Sequence, residues 1–222
     1  MIGGGVLTLA WALLVWQWQD PFTAAYTHFE QRSLAQSLSR QFADYRPFHV
    51  KTSGLAGERR QIAAEASRFR REAKPGEAIG RIVIHRIGLN MVLVNGTDHE
   101  TLKKGPGRDG RAFMPGQNRL VYVAGHRTTY LAPFSRIDAI QPGDEIRVEM
   151  PYATFSYRAT AHRVVTATDL SVLRSPRREV LELQACHPRF FATHRYIVYA
   201  TLASVSPRGG TPYDVSAVAA GR

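Results

Sequence analysis

Val180-Leu181-Glu182-Leu183-Gln184-Ala185-Cys186-His187-Pro188 is the stretch on which the reading of this chain turns. Val180 to Ala185 has the composition of a strand, Cys186 ends it, and His187-Pro188 stops it, because proline has no N–H to give to a ladder. The thiol is therefore expected at a rim, where function concentrates, and not in mid-sheet. Nine residues later Arg195 opens a second apolar run, Tyr196-Ile197-Val198-Tyr199-Ala200. If the two strands pair through that short connection, a guanidinium stands beside the thiol and favours its thiolate. His126, in Val123-Ala124-Gly125-His126-Arg127, also ends an apolar strand, behind a glycine whose freedom lets the ring protrude. Three strand ends thus supply a nucleophile, a titratable base and a cation.

Outward from these ends the same grammar continues. Ile82, Ile84 and Ile87, then Met91 to Val94, are short apolar runs broken at Gly88-Leu89-Asn90 and Asn95-Gly96. Asp98 to Lys104 can hold a short helix. Leu120 to Ala124, Glu145 to Met150, Thr154 to Thr168 and Tyr196 to Val205 read as further strands, punctuated by Pro142-Gly143-Asp144 and Pro151. Many strands at short spacing predict an all-β sandwich or barrel over residues 78–205, followed by a flexible tail at 206–222.

The N-terminal third is different. Ile2 to Trp18 is apolar almost without break, about 17 residues or roughly 25 Å as a helix, just under what a bilayer requires. Trp11, Trp16 and Trp18 crowd its far end as interfacial aromatics do, and no small-residue cleavage site follows. Residues 1–19 are expected to be an uncleaved membrane anchor, with a buried core helix as the competing reading. Residues 20–77 are expected to be stalk helices and a linker. Asp20-Pro21 starts one helix, Arg46 to Gly57 reads as the linker, and Glu58 to Lys74 is an arginine-rich helix ended by Pro75-Gly76.

Composition excludes several classes. The chain has 222 residues, 44% hydrophobic and 21% charged, which is globular composition. Its net charge of +11 permits nucleic acid, anionic lipid or acidic wall polymer as partners and selects none. A single cysteine rules out an internal disulfide framework and paired-cysteine zinc sites. His187 and His194 flank the reactive positions, but no acidic ligand stands near them, so no metal and no cofactor is expected. Nucleic-acid binding is disfavoured, because the arginines are scattered without interleaved exposed aromatics.

Ala124-Gly125-His126-Arg127, a strand ending in Cys186, and Arg195 at the start of the last strand together resemble the sortases, Gram-positive cysteine transpeptidases that anchor proteins to the cell wall. The resemblance spans roughly Ile79 to Ser204. The family's usual Thr-Leu-x-Thr-Cys is Glu182-Leu183-Gln184-Ala185-Cys186 here, so only the leucine and the cysteine match. His126-Arg127-Thr128-Thr129-Tyr130 and the short spacing from cysteine to arginine most resemble the class E branch of high-GC actinobacteria.

The resemblance implies a closed eight-stranded β-barrel. It implies Cys186 as nucleophile, His126 as general acid and base, and Arg195 as oxyanion or substrate-backbone donor. Tyr130 and Ala185 are expected to line the substrate groove, Tyr130 reading equally well as an exposed turn residue, and the Thr166 to Glu179 connection should help form that groove. The implied reaction cleaves a C-terminal LPxTG- or LAxTG-like sorting signal of a secreted protein and passes it to an amine of a peptidoglycan precursor or a pilin lysine. The implied location is the extracellular face of the cell membrane, with a single pass. Two rivals stand beside this reading. An L,D-transpeptidase would need a Ser-His-Gly-Cys type motif, which is absent. A catalytically silent, membrane-tethered module that binds wall polymer is the stronger one, supported by the missing threonines and the basic Glu58 to Lys74 segment.

Overall fold

The computed structural model describes residues 4–6, 21–47 and 54–215. Among the described residues nine strands form one sheet: β1 (Ala78–Ile84), β2 (Leu89–Asn95), β3 (Gly107–Arg108), β4 (Leu120–Ala124), β5 (Glu145–Glu149), β6 (Ala153–Thr166), β7 (Val180–His187), β8 (His194–Pro207) and β9 (Tyr213–Asp214). They run in the order β6-β5-β1-β2-β3-β4-β7-β8-β9, and β6 also pairs with β8. That last pairing closes β1 to β8 into an eight-stranded barrel and leaves β9 as an appendage on β8. Closure removes the exposed edges that an open sheet of this size would carry.

The barrel follows from strand alternation. In β5, Ile146 and Val148 are fully buried between the partly exposed Glu145, Arg147 and Glu149. In β7, Leu181, Leu183 and Ala185 fill the interior, so Glu182, Gln184 and Cys186 share the opposite face. The interior is packed with Ile82, Ile84, Leu93, Val121, Val123, Phe134, Phe155 and Val198. A second apolar cluster, which includes Leu120, Tyr122, Val165, Val172, Val180 and Ile197, covers the outer side of β4, β7 and β8.

Among the described residues two long helices lie against this barrel. Helix α1 (Pro21–Asp44) packs Leu34, Ala35, Leu38 and Phe42 on Ala78 and Val92, while Phe22 and Phe29 stay exposed. Its Gln31 acts as a surrogate strand neighbour: the side-chain oxygen accepts from Val92 N–H at 2.7 Å, and the amide donates to the carbonyls of Val92 and Lys104. Helix α2 (Gly54–Glu72) begins four residues before the expected Glu58 and buries Ile62, Glu65 and Ala66. Glu65 is paired with Arg68 at 2.9 Å and accepts from the Tyr45 hydroxyl, which satisfies its burial. The short helix expected after Asp98 is α3 (His99–Lys104), capped by the Asp98 carboxylate accepting from Thr101 N–H.

The single-pass membrane localisation is overturned. Among the described residues no helix is long and apolar enough to cross a membrane. The physical reason lies in their composition: α1 is interrupted by Glu30, Arg32 and Arg40, and α2 carries Arg59, Arg60, Arg68, Arg70 and Arg71. Of the span expected as an anchor, Gly4–Val6 is helical, and residues 1–3 and 7–19 lie outside the described residues.

Candidate active site

Three strand ends meet at one mouth of the barrel. Strands β4 and β7 run parallel, with Ala124 opposite Gln184, and the ladder continues as Gly125 N–H donates to the Gln184 carbonyl at 3.0 Å. On the other side, antiparallel β7 and β8 place Cys186 directly opposite Arg195. His126 is therefore bracketed: Gly125 holds the carbonyl of Gln184, and the Arg127 guanidinium lies 3.4 Å from that of Cys186. The three candidate catalytic residues, Cys186, His126 and Arg195, come from β7, β4 and β8 and share that end. Cys186 is a free, half-buried thiol.

Gly125 has a steric purpose in place of the expected flexibility. A β-carbon there would meet the Phe134 ring at 2.7 Å and Pro133 at 3.1 Å, so glycine lets the Pro133-Phe134 segment close over the strand end. Phe134 N–H in turn donates to the His126 carbonyl at 3.0 Å, which fixes the backbone that carries the imidazole.

The imidazole is set in an apolar, aromatic environment. Its Nε2 is buried and has no hydrogen-bond partner among the described residues. The Tyr130 ring lies against it, centroids 5.0 Å apart. Burial, and secondarily the charge of His99, lowers the His126 pKa below its ordinary value. Tyr130, Leu131 and Ala132 all have left-handed backbone (φ 53°, 58° and 37°), a run that non-glycine residues rarely adopt. That turn aims Tyr130 at His126, and helix α1 holds its other side: Thr23 Oγ1 accepts from Tyr130 N–H, and Tyr26 meets the ring edge-on.

Arg195 donates through Nη1 to the carbonyls of Ala192 (2.7 Å) and His194 (2.9 Å), so its own loop orients the guanidinium. Ala185 departs from expectation. It is fully buried in the barrel interior, because neighbouring residues of a strand face opposite ways, and its methyl does not line the face that carries Cys186.

The sequence alone assigns no role to Arg127 or Glu182. Arg127 is buried, pairs with Asp138 at 2.7 Å, and its Nη1 lies 3.0 Å from His187 Nδ1. It joins the ends of β4 and β7 to the turn Ile137–Ala139. Its adjacency to His126 was the one available signal. Glu182 is buried on the Cys186 face of β7, a placement set by strand parity. Among the described residues no group of His, Cys, Asp and Glu is arranged to hold a metal.

Comparison with known proteins agrees with this architecture. The family described as Sortase domain matches residues 82–203. The chain is 29% identical to Sortase D of Bacillus subtilis over 162 residues, which is 68% of this chain and 80% of that protein. It is 26% identical to Sortase SrtE1 of Streptomyces coelicolor over 177 residues, covering 72% of this chain and 50% of that one. Among solved structures, a Clostridium perfringens Sortase D5 transpeptidase superposes with a TM-score of 0.63 at 26% identity, over 78% of this chain and 98% of that one. Sortase E1 from Streptomyces coelicolor, solved with a tripeptide in its active site, gives 0.56 at 26% identity, over 63% and 97%. A family match across more than half of the chain, on a closed barrel of the same fold, establishes that this chain belongs to the sortase family of cysteine transpeptidases.

Proposed function

We propose that residues 78–205 are the catalytic unit, and that it cleaves an LPxTG- or LAxTG-like sorting signal and transfers the new carboxyl end to an amine of the cell wall. The observation that carries this is the bracketing of His126 by Gly125 and Arg127, which both contact β7 within two residues of Cys186, while Arg195 faces Cys186 from β8. The Cys186 thiolate attacks the scissile carbonyl, and the C–N bond breaks to leave a thioester. His126 gives its proton to the departing amine and later takes one from the incoming amine, whose nitrogen displaces the sulfur. Arg195 donates to the oxyanion formed in each half-reaction. Amines attack thioesters readily and water does so poorly, so a thiol favours transfer over hydrolysis. Secreted proteins bearing sorting signals and a peptidoglycan-precursor or pilin-lysine amine are the partners.

Intact-mass spectrometry on enzyme incubated with Leu-x-x-Thr-Gly-like peptides tests the reading. The expected result is a peptide adduct on Cys186 that disappears on adding an amine, with the aminolysis product appearing in step. Undiminished product from the Cys186→Ala variant would remove the assignment.

A further inference from the structure

The end of the barrel away from Cys186 carries a charge that the transfer reaction does not use. Strands β4 and β7 start there as parallel neighbours, Leu120 opposite Val180, and Cys186 lies six residues or about 20 Å further along β7. Arg119 precedes one strand, Arg177 and Arg178 precede the other, and all three are exposed. Ser175 Oγ accepts from Leu120 N–H, and Asn118 Nδ2 donates to the Arg177 carbonyl at 3.5 Å, so the two strand entries are tied together. Helix α2 closes the group from a third side. Arg70 donates to the Gly110 carbonyl, its guanidinium lies 4.4 Å from the centre of the Phe113 ring, and Arg119 lies 5.9 Å from the same ring. Among the described residues no carboxylate pairs with Arg70, Arg119, Arg177 or Arg178. The acidic residues of the loops 109–119 and 174–179 are engaged elsewhere. Asp109 is held by Arg111 at 2.7 Å, and the buried Glu179 accepts from Gly116 N–H, Asn118 N–H and the Tyr157 hydroxyl. Behind them Arg108 is 2% exposed and bonds only to the neutral oxygens of Asn95 and Ala112. Burial, and secondarily the charge of Arg70, pulls its pKa down to about 10, so it is still a cation at neutral pH. Like charges gathered without a counter-charge repel one another, and an anion laid across them relieves that repulsion.

We propose that this end of the barrel is a docking surface for a polymer of repeating phosphodiesters without bases, of the polyol-phosphate kind, bound through Arg70, Arg119, Arg177 and Arg178. Guanidinium forks match phosphate oxygens two at a time, and several of them spread over one surface suit a chain of phosphates better than one small anion. The same residues argue against other polyanions. Nucleic-acid bases need an open aromatic face to stack on, whereas Phe113 is half-buried and has Arg70 over its ring. A bilayer takes up apolar side chains as well as basic ones, and no large hydrophobic residue is exposed in residues 109–119 or 174–179. The role of such docking, keeping the enzyme on the wall that carries its amine acceptor, rests on the reaction proposed above; the binding itself does not.

Fluorescence anisotropy of end-labelled poly(glycerol phosphate) with the full chain tests it. One variant combines Arg119→Gln, Arg177→Gln and Arg178→Gln; a control removes the same charge elsewhere on the surface through Arg32→Gln, Arg40→Gln and Arg163→Gln. The unaltered chain is expected to bind, and to bind more weakly as salt rises. The first variant should lose at least about tenfold in affinity and show a shallower salt dependence, while the control stays within about threefold of the unaltered chain. Circular dichroism confirms that both are folded, and because every substituted arginine is exposed, folding is not at stake. Equal losses in the two variants would make the attraction a matter of net charge and overturn the proposal. So would no binding up to about 1 mM polymer phosphate at about 0.1 M salt. Binding to oligo-dT or to vesicles containing phosphatidylglycerol that exceeds binding to the polymer by more than about tenfold overturns the choice of partner. The readout does not involve peptide transfer, so failure of either reading leaves the other standing.

Discussion

Cys186 and Arg195 are direct register partners across β7 and β8, and the Arg195 guanidinium is turned back onto the carbonyls of Ala192 and His194. One nitrogen, Nη1, makes both of those bonds, so the remaining donors are oriented without being consumed. Arg195→Ala is expected to lower kcat for peptide transfer by about 10²–10³-fold. Arg195→Lys should restore only part of this, because a single ammonium cannot hold the loop carbonyls in a rigid fork and also reach the oxyanion. Steady-state kinetics decide it; a change confined to KM would make Arg195 a binding residue only.

His126 combines an aromatic neighbour, a buried Nε2 without a partner among the described residues and a pKa pushed below its ordinary value of about 6.5. His126→Ala should cost about 10²–10⁴-fold in transfer. The sign of its effect on stability follows from linkage. The unfolded chain takes up this proton at a higher pH than the folded one, so stability present above about pH 6.5 is lost on acidification through the folded pKa. Urea unfolding at about pH 7.5 and about pH 5 should therefore show a smaller loss in His126→Ala than in the unaltered protein.

Glu182 titrates in the opposite sense. Its folded pKa of about 7 lies above the ordinary 4.5, so the folded state holds the proton more tightly. The stability that this group contributes is greatest below pH 4.5 and falls as pH rises through 4.5 to about 7. Glu182→Gln keeps the shape and removes the titration. Its stability relative to the unaltered protein should rise across that window by on the order of 2 kcal/mol and level off above it. Denaturant midpoints that run parallel from acid to neutral pH would show that the carboxyl finds a partner in solution.

How much of this was readable in the sequence differs by kind of signal. The strands at Leu120–Ala124 and Val180–His187 stand out because apolar residues run up to a hard stop, Gly125 in one case and Pro188 in the other. The pairing of those two strands does not, since parallel neighbours some sixty residues apart leave no local mark. The docking of α1 through Gln31 is equally silent, because a polar side chain bonded to a strand edge has no periodicity. Ala185 is the instructive miss. Once Cys186 is placed on the outer face, the two-residue period of a strand sends Ala185 inward and puts Glu182 and Gln184 on the face that carries the thiol. That parity was present in the letters, whereas the lack of a hydrogen-bond partner for Glu182 Oε2 among the described residues depends on the tyrosines across from it, Tyr122 and Tyr199.

Arg127 provides the last prediction, because its partners separate position from chemistry. The guanidinium is 4% exposed and ties Asp138, His187 and the Cys186 carbonyl together, yet no bond in the proposed reaction involves it. Arg127→Met should destabilise the fold by about 2–4 kcal/mol, from the lost ion pair and the unmet carbonyl, and should loosen the end of β7. Asp138→Asn should cost less, about 1 kcal/mol, because the Asp138 carboxylate is half exposed and solvent takes up part of its role. If Arg127 acts by holding Cys186 in register, kcat falls in both variants in the order of their destabilisation, while the KM of the peptide and the pH profile of transfer stay fixed. A shifted pH profile with stability intact would instead make Arg127 an electrostatic participant at the thiol, and thermal melts run beside the kinetics distinguish the two.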